Sequence, residues 1–224
     1  MSYTVISLGT LPANPLWNER QPRRTGHATS TLIRAGERAI LVDPGLPEPA
    51  IAARLEERTG LTPGEITHVF LTSFKADTCR GIRAFDSATW WIGENEREKV
   101  GSQLATLLKT AEGDSEVLRD MRAQVAILQR CKPAPDKLAE HVDLFPLPGV
   151  TPGLCGVLLP EASHTTLICG DAVPTAEHVA RGVTLDRCVD VDQARESLQE
   201  ALEIADLLIC GRDNLIVNPL KRPF

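Results

Sequence analysis

The stretch that most constrains the fold is ITHVFLTSFKADTCRG, at residues 66–81. Its first seven residues form an apolar run of strand length, and a polar cluster and a glycine follow at once. A buried strand that ends in this way brings polar side chains to the rim of a sheet. The stretch therefore predicts a functional rim. The cluster contains Ser73, Lys75, Asp77 and Thr78, a set that no single familiar reaction requires.

Strands and helices alternate along the rest of the chain, which indicates an α/β protein. Two β-rich runs meet at Gly36 and Glu37 and predict a hairpin, and residues 48–59 have helical spacing. Further strands are predicted at residues 3–9, 68–72, 89–94, 141–147, 153–160, 165–171 and 206–213, and further helices at residues 95–130, with a break near Gly113, and 190–205. Adjacent Trp90 and Trp91 should face opposite sides of their strand. A chain of 224 residues with 42% hydrophobic residues and no break in composition predicts a single domain, residues 1–224.

Composition and charge exclude several classes of partner. A formal net charge of −6 argues against nucleic acid, which is bound through clustered Lys and Arg. The sequence has no apolar stretch of membrane-span length and no basic leader before a long apolar run, so we expect a cytoplasmic protein without a membrane partner. Six cysteines without CxxC spacing predict reduced thiols. A protein partner or a homo-oligomer stays open.

Five landmarks in order carry a resemblance to the metallo-β-lactamase fold family, across residues 27–216. They are ILVDPG (40–45), LTSFKADTCRG (71–81), LPGVTPG (147–153), CGD (169–171) and CGRD (210–213). The resemblance implies a four-layer αββα sandwich. It also implies the family's zinc ligands, which are an HxHxDH motif, a histidine in a PGHTPG-like turn, an aspartate in a GD pair and a histidine in a GH pair.

Most of these ligands are replaced in this chain. Placed residue by residue on the family's pattern, the two aspartates remain as Asp77 and Asp171. The histidine positions carry Ser73, Lys75, Thr78, Val150 and Arg212. The replaced residues explain the unusual polar cluster after the strand at residues 68–72.

The replacements are poor ligands for zinc, which binds thiolate, neutral imidazole or carboxylate. Val150 has no lone pair to offer, and Arg212 keeps its proton. Lys75 and Arg212 also balance the charges of Asp77 and Asp171 without a metal. A unit cation about 4 Å from a dication opposes it by roughly 8 kcal/mol at an effective dielectric near 20. We therefore expect no metal and no other cofactor, and a pseudoenzyme rather than a metallo-hydrolase.

Two interpretations of the charged residues stay open. In the first, Lys75 and Arg212 form salt bridges with Asp77 and Asp171 and so repair a core once built around metal. In the second, the same cations line a retained cleft that binds an anionic small molecule. The cleft candidates are Ser73, Lys75, Asp77, Thr78, Val150, Asp171, Arg212 and His27, and no catalytic residue is identified among them.

An alternative function is a hydrolase for an ester, lactone or thioester that acts without metal or with a single weakly held metal on Asp77, Asp171 and His27. Trp17 lies in a proline-rich loop where family members cover the active site. Strand alternation places Cys169 and Cys210 on the same strand face as Asp171 and Arg212. The three histidines His141, His164 and His178 are interpreted as surface residues.

Overall fold

The first of two six-stranded sheets is formed by the N-terminal part of the chain. A computed structural model describes residues 1–110 and 115–221. The strands are β1 (Ser2–Ser7), β2 (Ser30–Ala35), β3 (Arg38–Val42), β4 (His68–Leu71), β5 (Thr89–Ile92) and β6 (Lys132–Pro133), in that spatial order. The β2–β3 pair is the predicted hairpin, and Gly36 in its turn has a φ of 57° that favours glycine. From β3 to β6 the strands run parallel, so the carboxyl ends of β3, β4 and β5 share one rim.

The second sheet is formed by the C-terminal part of the chain. Its spatial order runs from β12 to β7. The strands are β7 (Lys137–Ala139), β8 (Val142–Pro146), β9 (Cys155–Pro160), β10 (Thr165–Gly170), β11 (Leu207–Cys210) and β12 (Leu215–Val217). The strands predicted at residues 141–147, 153–160 and 165–171 are confirmed as β8, β9 and β10, which form an antiparallel meander. Strand β11 runs parallel to β10, so these two strands end at the same rim.

Helices cover the outer face of each sheet. They are α1 (Glu48–Thr59), α2 (Ala76–Cys79), α3 (Glu94–Thr110), α4 (Ser115–Arg130), α5 (Ala176–Arg181) and α6 (Val191–Ile204). The predicted boundaries of α1 are confirmed, and α1 ends at Gly60, whose φ is 71°. The predicted break near Gly113 lies outside the described residues. No helix within the described residues is long and apolar enough to cross a membrane.

Three apolar layers separate the four layers of secondary structure. The middle layer lies between the sheets and contains Ile33, Phe70 and Trp91 from the first sheet, against residues such as Val157 and Ile209. The first sheet packs against its helices through a layer that includes Ile51, Phe85 and Trp90, and the second sheet packs through Leu167, Leu198 and Leu208. The architecture is the expected four-layer αββα sandwich, and the two tryptophans face opposite sides as predicted.

Candidate functional site

The charged residues lie at the rim where β4, β10 and β11 end. Asp171 comes directly after the last residue of β10, and Arg212 lies two residues after the end of β11. Gly170 pairs with Cys210 across these strands. The strands approach so closely that a Cβ on Gly211 would lie 2.3 Å from the carbonyl oxygen of Gly170. A side chain does not fit at Gly211, so the glycine is required for the two strand ends to meet.

Arg212 is the centre of the cluster. Its Nε donates to Asp171 Oδ1 at 2.6 Å and its Nη2 donates to Asp171 Oδ2 at 2.8 Å, which is a bidentate pair. Asp77 accepts from Nη1 at 2.5 Å and from Nη2 at 3.2 Å. The Arg212 side chain is only 2% exposed. Four of the five guanidinium N–H groups are thus used within the cluster.

Lys75 completes the cluster from the other side of Asp171. Its Nζ donates to Asp171 Oδ2 at 2.8 Å. Although burial raises the pKa of Asp171, the charges of Arg212 and Lys75 hold it well below its usual range. Burial also lowers the pKa of Arg212, but Asp171 and Asp77 raise it above its usual value. Asp171 is therefore ionised and Arg212 protonated at neutral pH, and the formal charges of the two acidic and two basic side chains cancel.

The other three positions of the family pattern carry the uncharged residues Ser73, Thr78 and Val150. The Thr78 hydroxyl lies 2.8 Å from the carbonyl oxygens of Ser73 and Lys75, to either of which it can donate its single proton, and it accepts from the Lys75 amide, so it shapes the loop between β4 and α2. Val150 is buried in the apolar layer beneath α6. The Ser73 hydroxyl is buried and has no hydrogen-bond partner within residues 1–110 and 115–221.

This donor set does not fit the zinc centre that the resemblance implies. The two remaining carboxylates are ion-paired with Arg212 and Lys75, and a valine side chain has no lone pair. In the part of the chain that the structure describes, no three His, Cys, Asp or Glu residues converge as a metal-binding group.

We expect Lys75→Met to destabilise the protein by only about 1 kcal/mol, because Lys75 is 29% exposed and Asp171 would keep its bidentate partner Arg212. From charge balance alone, removing either Lys75 or Arg212 is expected to cost a few kcal/mol by leaving a carboxylate unpaired, so the structure lowers the expectation for Lys75. Denaturant melts of Lys75→Met beside Lys99→Met, at an exposed position on α3, measure the difference. A loss above about 3 kcal/mol, the size expected for an orphaned buried charge, would contradict this ranking.

The remaining histidine and cysteine candidates lie outside the charged cluster. His27 Nε2 hydrogen-bonds to the Leu8 carbonyl oxygen at 2.9 Å, and no hydrogen bond of the described residues joins it to Asp77 or Asp171. The prediction of a surface His178 is wrong, because this residue is 2% exposed and its Nδ1 lies 2.8 Å from the Thr175 hydroxyl. It belongs to α5, a helix too short for its apolar spacing to be recognised.

Cys169 and Cys210 are fully buried in the layer between the second sheet and its helices. Burial raises the pKa of both thiols, so neither is activated as a nucleophile. Strand alternation does not extend from Cys169 to Asp171, because the pairing shifts register before Gly170 and that glycine has a φ of 54°.

Two buried carboxylates near the rim were not predicted as functional. Glu96 is fully buried, and its two oxygens accept from the backbone amides of Phe74 and Gly153, each at 2.9 Å. It thereby joins the loop after β4 to the turn before β9. Asp43 accepts from the amide and the hydroxyl of Thr72 at 2.8 and 2.6 Å. In the sequence, Glu96 resembles an ordinary acidic residue in the first turn of a helix.

Asp43 should make stability depend on pH between about 4 and 7. Burial raises its pKa to about 7, although hydrogen bonds from Thr72 oppose this. The folded protein then holds a proton that the unfolded chain releases, so the contribution is fully present below the unfolded pKa of ~3.9 and is lost as pH rises to 7. The slope approaches ~1.4 kcal/mol per pH unit.

Asp43→Asn tests this, since Asn cannot titrate and its amide can donate to the Thr72 hydroxyl. Urea melts at pH 5, 6 and 7 should show the parent losing stability relative to Asp43→Asn as pH rises. Parallel curves for the two proteins would contradict the prediction.

A pocket of about 150 Å³ adjoins the cluster, and Arg212 and Asp213 form part of its wall. Trp17, which is 54% exposed, also lines this pocket. It belongs to a 3₁₀ turn, Pro15–Trp17, in the proline-rich loop. The Trp17 loop thus lies beside the rim, where the sequence places a covering loop.

Comparison with known proteins gives a family match over most of the chain. Residues 23–210 match the family described as the metallo-beta-lactamase superfamily. No curated protein matches the sequence closely enough to count as a relative.

Solved structures with the same fold are numerous but distant in sequence. A putative metallo-beta-lactamase from Thermotoga maritima is 20% identical with a TM-score of 0.70, and the match covers 96% of this chain and 98% of that one. AidC, a dizinc quorum-quenching lactonase solved with N-hexanoyl-L-homoserine, is 18% identical with a TM-score of 0.68, over 88% of this chain and 76% of that one. AiiA of B. thuringiensis, solved as a mutant with N-decanoyl-L-homoserine, is 17% identical with a TM-score of 0.64, over 94% and 92%. At these identities the likeness establishes the fold.

Proposed function

The chain belongs to the metallo-beta-lactamase superfamily, and we propose that it is a member without metal chemistry, a pseudoenzyme in which a salt-bridged cluster stands in place of the metal centre. The cluster consists of Lys75, Asp77, Asp171 and Arg212. In this proposal its role is to hold together the strand ends that a metal holds in the family pattern.

The observation that carries the proposal is the position of the Arg212 guanidinium. It lies between the two carboxylates that the family pattern retains, and it hydrogen-bonds to both of them. A cation in this position repels a dication and uses the carboxylate lone pairs that would bind it. The interpretation that the cleft binds an anion has less support, because Asp77 and Asp171 already neutralise the positive charges of Lys75 and Arg212.

Hydrolysis has no evident chemical basis at this cluster. A metal would lower the pKa of bound water to about 7 and polarise the scissile bond. Lys75 and Arg212 can stabilise negative charge, but they cannot generate hydroxide. Asp77 and Asp171 are paired with these cations, so neither is an available general base. A base acting alone contributes only ~10² to 10⁴-fold, against the ~10⁶ or more typical of an enzyme.

Metal analysis tests the proposal directly. Protein purified without added metal and mildly dialysed should hold no stoichiometric zinc, iron or manganese, because the donors present do not match those that bind these ions. AidC, described as a dizinc lactonase, is the positive control in the same measurement. A ratio near one or two ions per chain would contradict the proposal.

An activity assay separates the remaining alternative, a metal-free hydrolase. The purified protein should not turn over homoserine lactones, simple esters or thioesters above the buffer rate. If turnover persists in the presence of a chelator and is lost in Asp77→Asn, the protein is a metal-free hydrolase and the pseudoenzyme proposal is wrong. The chemistry of the acyl-homoserine lactone relatives supplies the first substrates to try.

A further inference from the structure

The pocket beside the cluster has features of a binding site that the salt-bridge proposal does not use. Its volume is about 150 Å³, well below the roughly 300 to 1,000 Å³ of pockets for drug-sized ligands, so it suits a much smaller molecule. The wall residues that matter are Asn14, Trp17, Thr175, Glu177, Arg212 and Asp213. The lining combines residues of the loop that holds Trp17 with residues that follow β10 and β11.

The pocket has an excess of negative charge. Arg24 is paired with Glu19, and Arg212 is balanced within the cluster. Glu177 and Asp213 have no ion-pair partner within the described residues. A hydrogen bond from the Thr175 hydroxyl lowers the pKa of Glu177, with a smaller effect of the Trp17 indole, so this carboxylate is ionised. A positively charged group in the pocket would relieve the excess.

Asn14 adds an unused hydrogen-bond donor to the same pocket. Asn14 is 2% exposed, and its Oδ1 accepts from the Leu16 backbone amide at 3.0 Å, which fixes the orientation of the Asn14 side-chain amide. Its Nδ2 has no acceptor in residues 1–110 or 115–221, although Asn14 lines the pocket. Since Asn14 lines the pocket, this unused amide donor is available to a ligand that supplies an oxygen.

From these groups we infer that the pocket binds a small zwitterion of amino-acid size. Its ammonium group lies against Glu177 and Asp213, and its carboxylate accepts from Asn14 Nδ2. The remaining N–H on Arg212 Nη1 is a second donor for the same carboxylate. The carbon skeleton packs on the indole of Trp17, whose ring also carries Arg24 at 5.3 Å from its centroid.

Three matched probes test the ligand class, namely alanine, ethylamine and propionate. Alanine carries both charged groups, and each of the others carries one of them on a similar carbon skeleton. Titrations followed by isothermal calorimetry and by the chemical shift of the Trp17 indole N–H should show saturable binding of alanine. Ethylamine and propionate should each bind about tenfold more weakly or worse, because each lacks one charge-assisted contact.

Two variants assign the contacts to residues. Glu177→Gln should weaken alanine and ethylamine about tenfold and leave propionate unchanged. Asn14→Asp keeps an oxygen for the Leu16 amide but replaces the donor by a negative charge, so it should weaken alanine at least tenfold and leave ethylamine as tight or tighter. Glu200→Gln, on the exposed face of α6, is the matched control and should change nothing.

Several outcomes would overturn the inference. The inference is wrong if alanine shows no saturable binding, or if propionate binds as tightly as alanine. It is also wrong if the affinity for alanine is unchanged in both Glu177→Gln and Asn14→Asp. Metal analysis of the cluster is a separate measurement, so failure here and failure of the pseudoenzyme proposal can be told apart.

Discussion

Replacing Arg212 with Met should lower the free energy of unfolding by about 3 to 5 kcal/mol, the loss expected when one partner of a buried ion pair is removed. Asp171, which is 3% exposed, would keep only Lys75 as a charged partner. Asp77 would lose both of its guanidinium hydrogen bonds. Urea melts at pH 7 give the change directly.

Two further variants separate the charge effect from a general effect of the substitution. Arg83→Met, at an exposed position, should change stability by less than ~0.5 kcal/mol. Adding Asp171→Asn to Arg212→Met should recover about 1 to 3 kcal/mol, because the buried group left behind is then uncharged. A loss below ~0.5 kcal/mol for Arg212→Met alone would show that the cluster does not stabilise the fold.

Replacing Glu96 with Ala should cost about 3 to 5 kcal/mol. The Glu96 side chain is fully buried and accepts two backbone N–H groups, and each buried polar group that loses its partner costs ~1 to 3 kcal/mol. Without it, the amides of Phe74 and Gly153 are left without an acceptor. Denaturant melts measure the loss, and hydrogen exchange of these two amides should accelerate more than that of the sheet strands.

The matched control for Glu96 is Glu98→Ala, at an exposed position on the same helix, which should be nearly neutral. Glu96→Gln should lie between the parent and Glu96→Ala, because one amide oxygen can still accept from one of the two backbone amides. If Glu96→Ala and Glu98→Ala have the same stability, Glu96 does not join the two rim loops.

Local patterns in the sequence were sufficient for the elements with clear periodicity. The hairpin around Gly36 and helix α1 lie where they were predicted. Alternation placed Trp90 and Trp91 on opposite faces of β5. The short strands β6, β7 and β12 were not predicted, because two or three residues are too few to establish a pattern. Helix α5, and with it the burial of His178, was missed for the same reason.

Charge balance in the sequence predicted that Lys75 and Arg212 would neutralise Asp77 and Asp171, and the structure contains those ion pairs. The choice of partners was not predictable. Arg212 bridges both carboxylates, whereas Lys75 pairs with Asp171, because the parallel ends of β10 and β11 place Arg212 beside Asp171. Register and the close approach of Gly211 to Gly170 decide this geometry.

The sequence by itself determined the family and the layer order, because both depend on residue type and on order along the chain. Only the tertiary structure revealed Glu96 and Asn14. The amide partners of Glu96 lie 22 and 57 residues away, and backbone amides leave no trace in residue identity. Asn14 is an ordinary turn residue until the fold places it in the wall of a pocket, where its side-chain amide has an unused donor. Contacts between groups that are distant in the chain depend on how the layers pack, and the sequence around each residue does not reveal that packing.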